Sequence, residues 1–205
     1  MRLITFGDSF TNGYGISESK KWCGHGKPDM FEDLYRRMNS WPRYTSERLS
    51  IPVVNMGKCN NFGNNDMYNL IKENIDELLK TDIVIVAFSY PYRNATSPID
   101  DYKKIDELLK PYKRFYFNAF YPMFEDEYEI VDIDFTNFIK PNYTFSQHLG
   151  EIEKREHIPL FQNNSWYINE LLDGSQHPNL NGYKQIGNYV YDQIKDKLWN
   201  IQCYK

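Results

Sequence analysis

Length, composition and charge exclude several classes of protein. The chain has 205 residues, of which 41% are hydrophobic and 17% aromatic, so it is long enough for one sizeable core and too apolar to be disordered. Its net charge of −4 gives no general attraction to nucleic acids or anionic membranes. No segment approaches the roughly 18 apolar residues of a membrane helix, and no secretory signal is visible. We therefore expect a single-domain, cytoplasmic protein.

Neither the cysteines nor the acidic residues predict a metal centre. Cys23, Cys59 and Cys203 are odd in number and form no Cys-x-x-Cys pair, which favours reduced thiols over a disulfide framework. Cys23 lies two residues from His25, a hint of zinc that lacks a second ligand pair. The acidic cluster within 125–129 is interpreted as a solvated loop, with a metal site as the less favoured alternative.

Short apolar runs alternate with helical periodicity along the chain, which predicts an α/β fold with a mostly parallel sheet. The clearest strand is the continuous apolar run Ile-Val-Ile-Val-Ala-Phe, as a buried parallel strand requires. Strands are predicted at 3–6, 51–55, 82–88, 114–120 and 157–160. Helices are predicted at 41–49, 66–80, 99–109 and 180–199. A long loop with at most short helices is predicted at 12–40, and a further loop at 56–65. The segment 121–156 has no clear assignment. The expected architecture is a three-layer α/β/α sandwich with a mostly parallel, five-stranded sheet.

A candidate nucleophile follows the first strand. In a parallel sheet the active site lies at the carboxyl ends of the strands, where loops 7–16, 56–65, 89–98 and 121–130 should meet. Gly7-Asp8-Ser9 begins the first of these loops. A nucleophilic serine needs a tight turn that lifts its hydroxyl out of the sheet, and Gly7 permits such a turn. Asp8 is expected to brace the turn rather than to react.

A candidate general base lies near the other end of the chain. His177 and Pro178 directly precede the last predicted helix. A base for serine must be oriented by a third group, usually a carboxylate on the other ring nitrogen, and Asp173 is the nearby candidate. The remaining histidines are interpreted as structural or surface residues: His25, His148 and His157.

With these two blocks the sequence resembles the SGNH (GDSL-like) hydrolase family, which has Gly-Asp-Ser after strand one and Asp-x-x-His-Pro before the last helix. The resemblance follows the whole chain in order, but its firm motifs are only these two. It implies an ester hydrolase with Ser9 as nucleophile, His177 as base and no metal or organic cofactor. The family's aspartate stands three residues before the histidine, where this chain has Gly174. Either Asp173, one residue further away, completes a triad, or the site is a Ser-His dyad.

The resemblance also implies an oxyanion hole. The N–H of Ser9 would contribute to it, together with the N–H of a glycine after strand two, for which Gly63 is the better fit and Gly57 the rival. The family's asparagine after strand three is missing, and Ser89 or Arg93 is predicted to replace it. Losing one oxyanion donor typically lowers the rate by about 10²–10³-fold.

The resemblance implies a flavodoxin-like arrangement of the sheet and a serine esterase that acts on a small acyl ester such as an acetyl ester. The aromatic excess and the long segment 121–156 favour a carbohydrate as the alcohol. As a divergent member without a signal peptide, the chain resembles proteins of phage and bacterial surface-polysaccharide gene sets. One alternative is a catalytically decayed module of the same fold that binds a glycan or a protein. Another is a flavodoxin-like nucleotide binder, although residues 7–13 match a phosphate-binding loop poorly.

Overall fold

A parallel sheet forms the centre of the described part of the chain. The computed structural model describes residues 1–14, 16, 30–59, 62–89, 97–119, 136–140, 142–152 and 177–199. Within them the strands are β1 (Leu3–Gly7), β2 (Val53–Asn55), β3 (Ile83–Phe88) and β4 (Lys113–Asn118). Their order is β2-β1-β3-β4 and every pairing is parallel. The α/β fold class is confirmed with four strands in the described residues, and the predicted strand at 157–160 lies outside them.

Helices connect and cover the strands. They are α1 (Ser9–Asn12), α2 (Met30–Asn39), α3 (Trp41–Leu49), α4 (Asn64–Asn74), α5 (Pro98–Leu109), α6 (Phe145–Ile152) and α7 (Leu180–Trp199). A single 3₁₀ turn, Ile75–Glu77, extends α4. In the part of the chain that the structure describes, no helix combines the length and apolar character needed to cross a membrane.

The four predicted helices are present, the one predicted at 99–109 as α5, whereas the prediction for 12–40 was wrong. The predicted helices 41–49 and 180–199 are confirmed at both ends, whereas α4 begins at 64 rather than 66 and gives way to the 3₁₀ turn well before 80. The prediction of a loop with at most short helices across 12–40 was wrong, because α2 spans ten residues there. Ion pairs four residues apart, Glu32–Arg36 and Asp33–Arg37, each 2.8 Å long, stabilise this helix.

The sheet has a packed core on each face, which establishes the three layers. All six side chains of β3 are buried, and they alternate between the two faces. Ile83, Ile85 and Ala87 pack towards α3 and α7, and Val84, Val86 and Phe88 pack towards α4 and α5. The continuous apolar run seen in the sequence is therefore explained by burial on both sides.

The strand order places one crevice in the fold. From β1 the chain moves to β2 on one side, and the next strand, β3, lies on the other side of β1. Open α/β sheets bind their ligands at such a reversal, outside the carboxyl ends of the strands. Ser9 follows β1 and Ser89 follows β3, so both candidate residues lie at this edge.

Candidate active site

Ser9 is held at the first position of a very short helix. Asp8 caps α1, and its Oδ1 accepts the N–H of Phe10 at 3.0 Å. The helix ends at Gly13, whose φ of 95° is in the left-handed region and whose N–H donates to the Ser9 carbonyl. These two caps fix the backbone on both sides of Ser9, which is half-buried.

Two glycines make room for this turn. A Cβ on Gly7 would lie 2.0 Å from Oγ1 of Thr11, and a Cβ on Gly57 would lie 2.4 Å from the backbone nitrogen of Asn12. The Lys58 N–H donates to the Gly7 carbonyl at 3.0 Å, which joins the segment after β2 to the turn that carries Ser9. Gly7 is thus needed for space rather than for a positive φ.

The structure brings Ser9 and His177 together from opposite ends of the chain. Oγ of Ser9 lies 2.9 Å from Nε2 of His177, within the range expected of a nucleophile and its general base. His177 is half-buried beside the start of α7. The ring centroids of Phe10 and Tyr14 lie 5.5 Å and 4.6 Å from that of the imidazole. The hydroxyl donates to Nε2 in the tautomer that carries its proton on Nδ1.

A buried network of three polar residues supports the turn that carries Ser9. The Ser89 hydroxyl donates to Oδ2 of Asp8 at 2.7 Å, and the Ser89 N–H donates to Oδ1 of Asn64 at 2.9 Å. All three side chains are buried. The chain joins the carboxyl ends of β1 and β3 to the start of α4, and it gives Asp8 the bracing contact that the sequence suggested. No motif pointed to Asn64, whose only signal was its place two residues before the helix predicted at 66–80.

The candidate oxyanion donors differ in whether their N–H groups already have an acceptor within the protein. The Ser9 N–H donates to no acceptor among the described residues, as its first position in a helix allows. The N–H of Gly63 donates to Oδ2 of Asp66, and that of Gly57 donates to Oδ1 of Asn55, both at 2.9 Å. Of these three N–H groups, that of Ser9 is therefore the one available to a substrate without rearrangement.

Several residues singled out in the sequence lie outside the described residues. These are Asp173, Arg93, Cys23, His25 and the acidic segment 125–129. His157 also lies outside them.

His148, by contrast, lies in α6, where its ring stacks on Tyr189 at 4.4 Å. Burial lowers the pKa of His148, which favours a neutral ring packed between helices.

Polar side chains also fix the far end of α1. Nδ2 of Asn12 donates to Asp33 at 3.0 Å, and Oδ1 of Asn12 accepts the Cys59 thiol at 2.8 Å. Burial raises the pKa of Cys59 to about 12, so the thiol keeps the proton that it donates. Partial burial would raise the pKa of Asp33, but hydrogen bonds from Asn12 and Arg37 outweigh it and hold that pKa below its ordinary value. Asp33 therefore remains an ionised acceptor that ties α2 to α1.

The described structure thus combines a parallel α/β sheet with a Ser-His pair at the reversal of strand order. Comparison with solved structures specifies the fold further. The chain is 19% identical to a protein of the lipolytic G-D-S-L family from Desulfitobacterium hafniense, with a TM-score of 0.55 over 93% of this chain and 98% of that one. It is 16% identical to an alpha/beta hydrolase enzyme from the metagenome of Lake Arreo, with a TM-score of 0.54 over 95% and 94% of the two chains.

A third similar structure is a carbohydrate esterase family 2 enzyme with a carbohydrate-binding domain from Corynascus thermopiles. It is 16% identical, with a TM-score of 0.54 over 96% of this chain and 66% of that chain. A scan of protein-family models and a search of curated proteins found no match. The chain therefore has the SGNH hydrolase fold, as the sequence resemblance implied.

Proposed function

We propose that the protein is a serine esterase with Ser9 as nucleophile and His177 as general base. The observation that carries the proposal is the 2.9 Å separation of Ser9 Oγ and His177 Nε2. It occurs at the reversal of strand order, the edge of the sheet where ligands bind in open α/β folds. Two independent sequence motifs, 168 residues apart, predicted the same pair.

The reaction proceeds in two steps. Nε2 of His177 takes the hydroxyl proton while Oγ of Ser9 bonds to the acyl carbon. The bond between that carbon and the alcohol oxygen then breaks, and His177 returns the proton to the leaving alcohol. Water attacks the acyl-enzyme, gives a proton to His177, and displaces Oγ of Ser9, which recovers that proton as the acid leaves.

The oxyanion of each tetrahedral intermediate bonds to the Ser9 N–H, which is available at the start of α1. Gly63, Ser89 and Arg93 are its proposed further donors. For Gly63 and Ser89 this requires that the oxyanion replace their present acceptors, Asp66 and Asp8.

The proposed substrate is a small acyl ester, such as an acetyl ester, of a carbohydrate. Two observations support a sugar as the alcohol: the fold shared with a carbohydrate esterase family 2 enzyme, and an aromatic content of 17%. Comparing turnover of acetylated xylan with that of p-nitrophenyl acetate tests this choice. Deacetylation of the polymer is the expected result, and activity confined to the p-nitrophenyl ester would contradict it.

The alternative is a glycan- or protein-binding module with the same fold. The engaged donors favour it, since the Gly63 N–H and the Ser89 hydroxyl already have acceptors within the protein. An unreactive Ser9 would leave this alternative as the better account of the fold.

Hydrolysis of p-nitrophenyl acetate and butyrate by wild type, Ser9→Ala and His177→Ala tests the proposal. Both substitutions should lower kcat by about 10⁴-fold or more, because nucleophile and base act as a unit. A fluorophosphonate should label wild type at Ser9, located by mass spectrometry. His148→Ala is the matched control, since His148 also packs on a tyrosine ring but in contact with α7 rather than Ser9. A wild-type protein that neither turns over nor labels would contradict the proposal.

Asp173 is the proposed third group of the triad. If it orients His177, Asp173→Asn should lower kcat by about 10⁴-fold, because the ring then loses its preferred tautomer. A fall below about tenfold would instead establish a Ser-His dyad.

A further inference from the structure

Tyr14 lies against the candidate general base. Its ring centroid is 4.6 Å from that of His177, closer than Phe10 at 5.5 Å, and the two ring planes are tilted by 54°. Aromatic rings at such distances attract one another and exclude alternative orientations. Tyr14 follows α1 directly after Gly13, so the peptide that presents Ser9 also presents a ring to its base.

Two groups from distant elements hold Tyr14 in place. The Arg36 guanidinium lies over the Tyr14 ring, with its central carbon 5.1 Å from the centroid. Arg36 is itself buried in α2 and pairs with Glu32 at 2.8 Å. On the backbone side, the Tyr183 hydroxyl of α7 donates to the Tyr14 carbonyl at 2.7 Å. Tyr14 is therefore fixed from α2 and α7 at once, and it cannot move without disturbing both.

We propose that Tyr14 is a positioning residue for His177, and that the Arg36–Tyr14–His177 contacts keep Nε2 aimed at Ser9. The inference rests on the proposed esterase function. A general base must keep its nitrogen in line with the nucleophile, and misplacement by about 1 Å can lower a rate by about 10²-fold. In this chain the aspartate position of the family motif is Gly174, which makes a second means of orienting the ring valuable.

The test separates the ring of Tyr14 from its hydroxyl. Tyr14→Leu removes the ring, and kcat for p-nitrophenyl acetate should fall by about 10- to 100-fold with KM little changed, because the base is misplaced while substrate contacts remain. Tyr14→Phe keeps the ring and should stay close to wild type. Tyr14→Met fills the volume with a flexible chain, and it decides the question by the same criterion if the leucine variant fails to fold.

A matched control removes a similar contact elsewhere. Arg48 lies over the Tyr191 ring at 4.1 Å, so Tyr191→Leu deletes an arginine–tyrosine contact away from the site. It should leave kcat unchanged. Wild-type kcat in the folded leucine and methionine variants of Tyr14, or an equal loss in Tyr14→Phe, would overturn the inference.

A second measurement does not depend on turnover. ¹⁵N NMR of the imidazole reports which nitrogen carries the proton. Wild type should show one dominant His177 tautomer protonated at Nδ1, and Tyr14→Leu a mixture. If wild type neither hydrolyses esters nor labels at Ser9, the esterase proposal fails, while an unchanged tautomer in Tyr14→Leu would contradict the positioning role itself.

Discussion

Asp8 holds the turn that carries Ser9 through one backbone and one hydroxyl contact. Asp8→Ala removes the acceptor of the Phe10 N–H and leaves the buried Ser89 hydroxyl without its partner. The free energy of unfolding should fall by about 1–3 kcal/mol, as for a lost helix cap combined with an unsatisfied buried group. The activity of the folded protein should fall too, because the capped turn places Ser9. Urea denaturation and esterase assays measure the two effects.

Another helix cap provides the control for this prediction. Ser97 caps α5 and accepts the Asp100 N–H at 3.3 Å. Ser97→Ala should lower the free energy of unfolding by about 1 kcal/mol while leaving kcat unchanged. If Asp8→Ala behaved in the same way, with stability lost and activity kept, Asp8 would be a helix cap and nothing more.

Individual residues were predictable where they belong to a motif and hard to predict where they act through distant contacts. Ser9 and His177 stand in short blocks that require particular neighbours, and they are found within hydrogen-bonding distance. Asn64 and Tyr14 carry no such signal. Their partners lie 25 residues away for Asn64, and on separate helices for Tyr14, so only the folded chain reveals them.

At the scale of elements, the close packing of α3 against α7 depends on one glycine. A Cβ on Gly187 would lie 2.6 Å from Cβ of Tyr44 and 2.9 Å from the Trp41 carbonyl oxygen. Gly187→Ala should therefore force the helices apart and lower the free energy of unfolding by about 1–3 kcal/mol, despite the better helix propensity of alanine. Thermal and urea unfolding measure the change.

Gly150 provides the opposite case on α6. Apart from its chain neighbours and the backbone of its own helix, no atom of the described residues lies within 4 Å of a Cβ built there. Gly150→Ala should therefore stabilise the protein by up to about 1 kcal/mol, since helix propensity alone decides. Equal effects of the two substitutions would show that α3 and α7 can adjust to an added methyl group at little cost in stability.

Helix α2 shows why one element was missed. Its apolar residues Met30, Phe31, Leu34 and Met38 recur at a spacing of three to four residues, the period of a helix, although their side chains are exposed. A second signal was electrostatic: acidic residues in the first turn, basic residues in the last, and two ion pairs at a spacing of four. Both signals predict this helix, and the polar composition of the longer segment 12–40 concealed them.

At the scale of the whole molecule, the sequence predicted the three layers and the end of the sheet where the candidate site lies. It did not predict how closely the segments around that site approach one another. Continuous apolar strands must be buried on both faces, which requires helices on each side. The carboxyl-edge rule then places Ser9 and Ser89 in one crevice. The segment after β2 can pack against α1 only because Gly7 and Gly57 have no Cβ. This steric requirement involves residues far apart in the chain, so no local sequence pattern predicts it.

A buried carboxylate, that of Asp82, lies at the amino ends of the strands, at the other end of the sheet from Ser9. It should make stability depend on pH. Asp82, just before β3, accepts the backbone N–H, Nε and Nη2 of Arg2 and the N–H of Leu79, at 2.6 to 3.2 Å. Burial would raise the pKa of Asp82, but these hydrogen bonds and the Arg2 charge outweigh it and hold the pKa below its ordinary value. This contribution to stability is therefore complete above the unfolded-state pKa of about 3.9 and is lost as pH falls towards the lower folded pKa.

Asp82→Asn should accordingly be less stable than wild type at neutral pH, and the difference should shrink below about pH 4, where wild type begins to lose the same ion pair. Urea unfolding at a series of pH values measures it. Asp192→Asn is the control, because Asp192 forms an exposed pair with Lys195 that should matter little at any pH. A constant difference between Asp82→Asn and wild type would show that the hydrogen bonds matter and the charge does not. Because Asp82 lies at the end of the sheet away from Ser9, the proposed esterase activity at neutral pH should persist in the folded variant, which would show that the Arg2–Asp82 pair acts on stability and not on the candidate site.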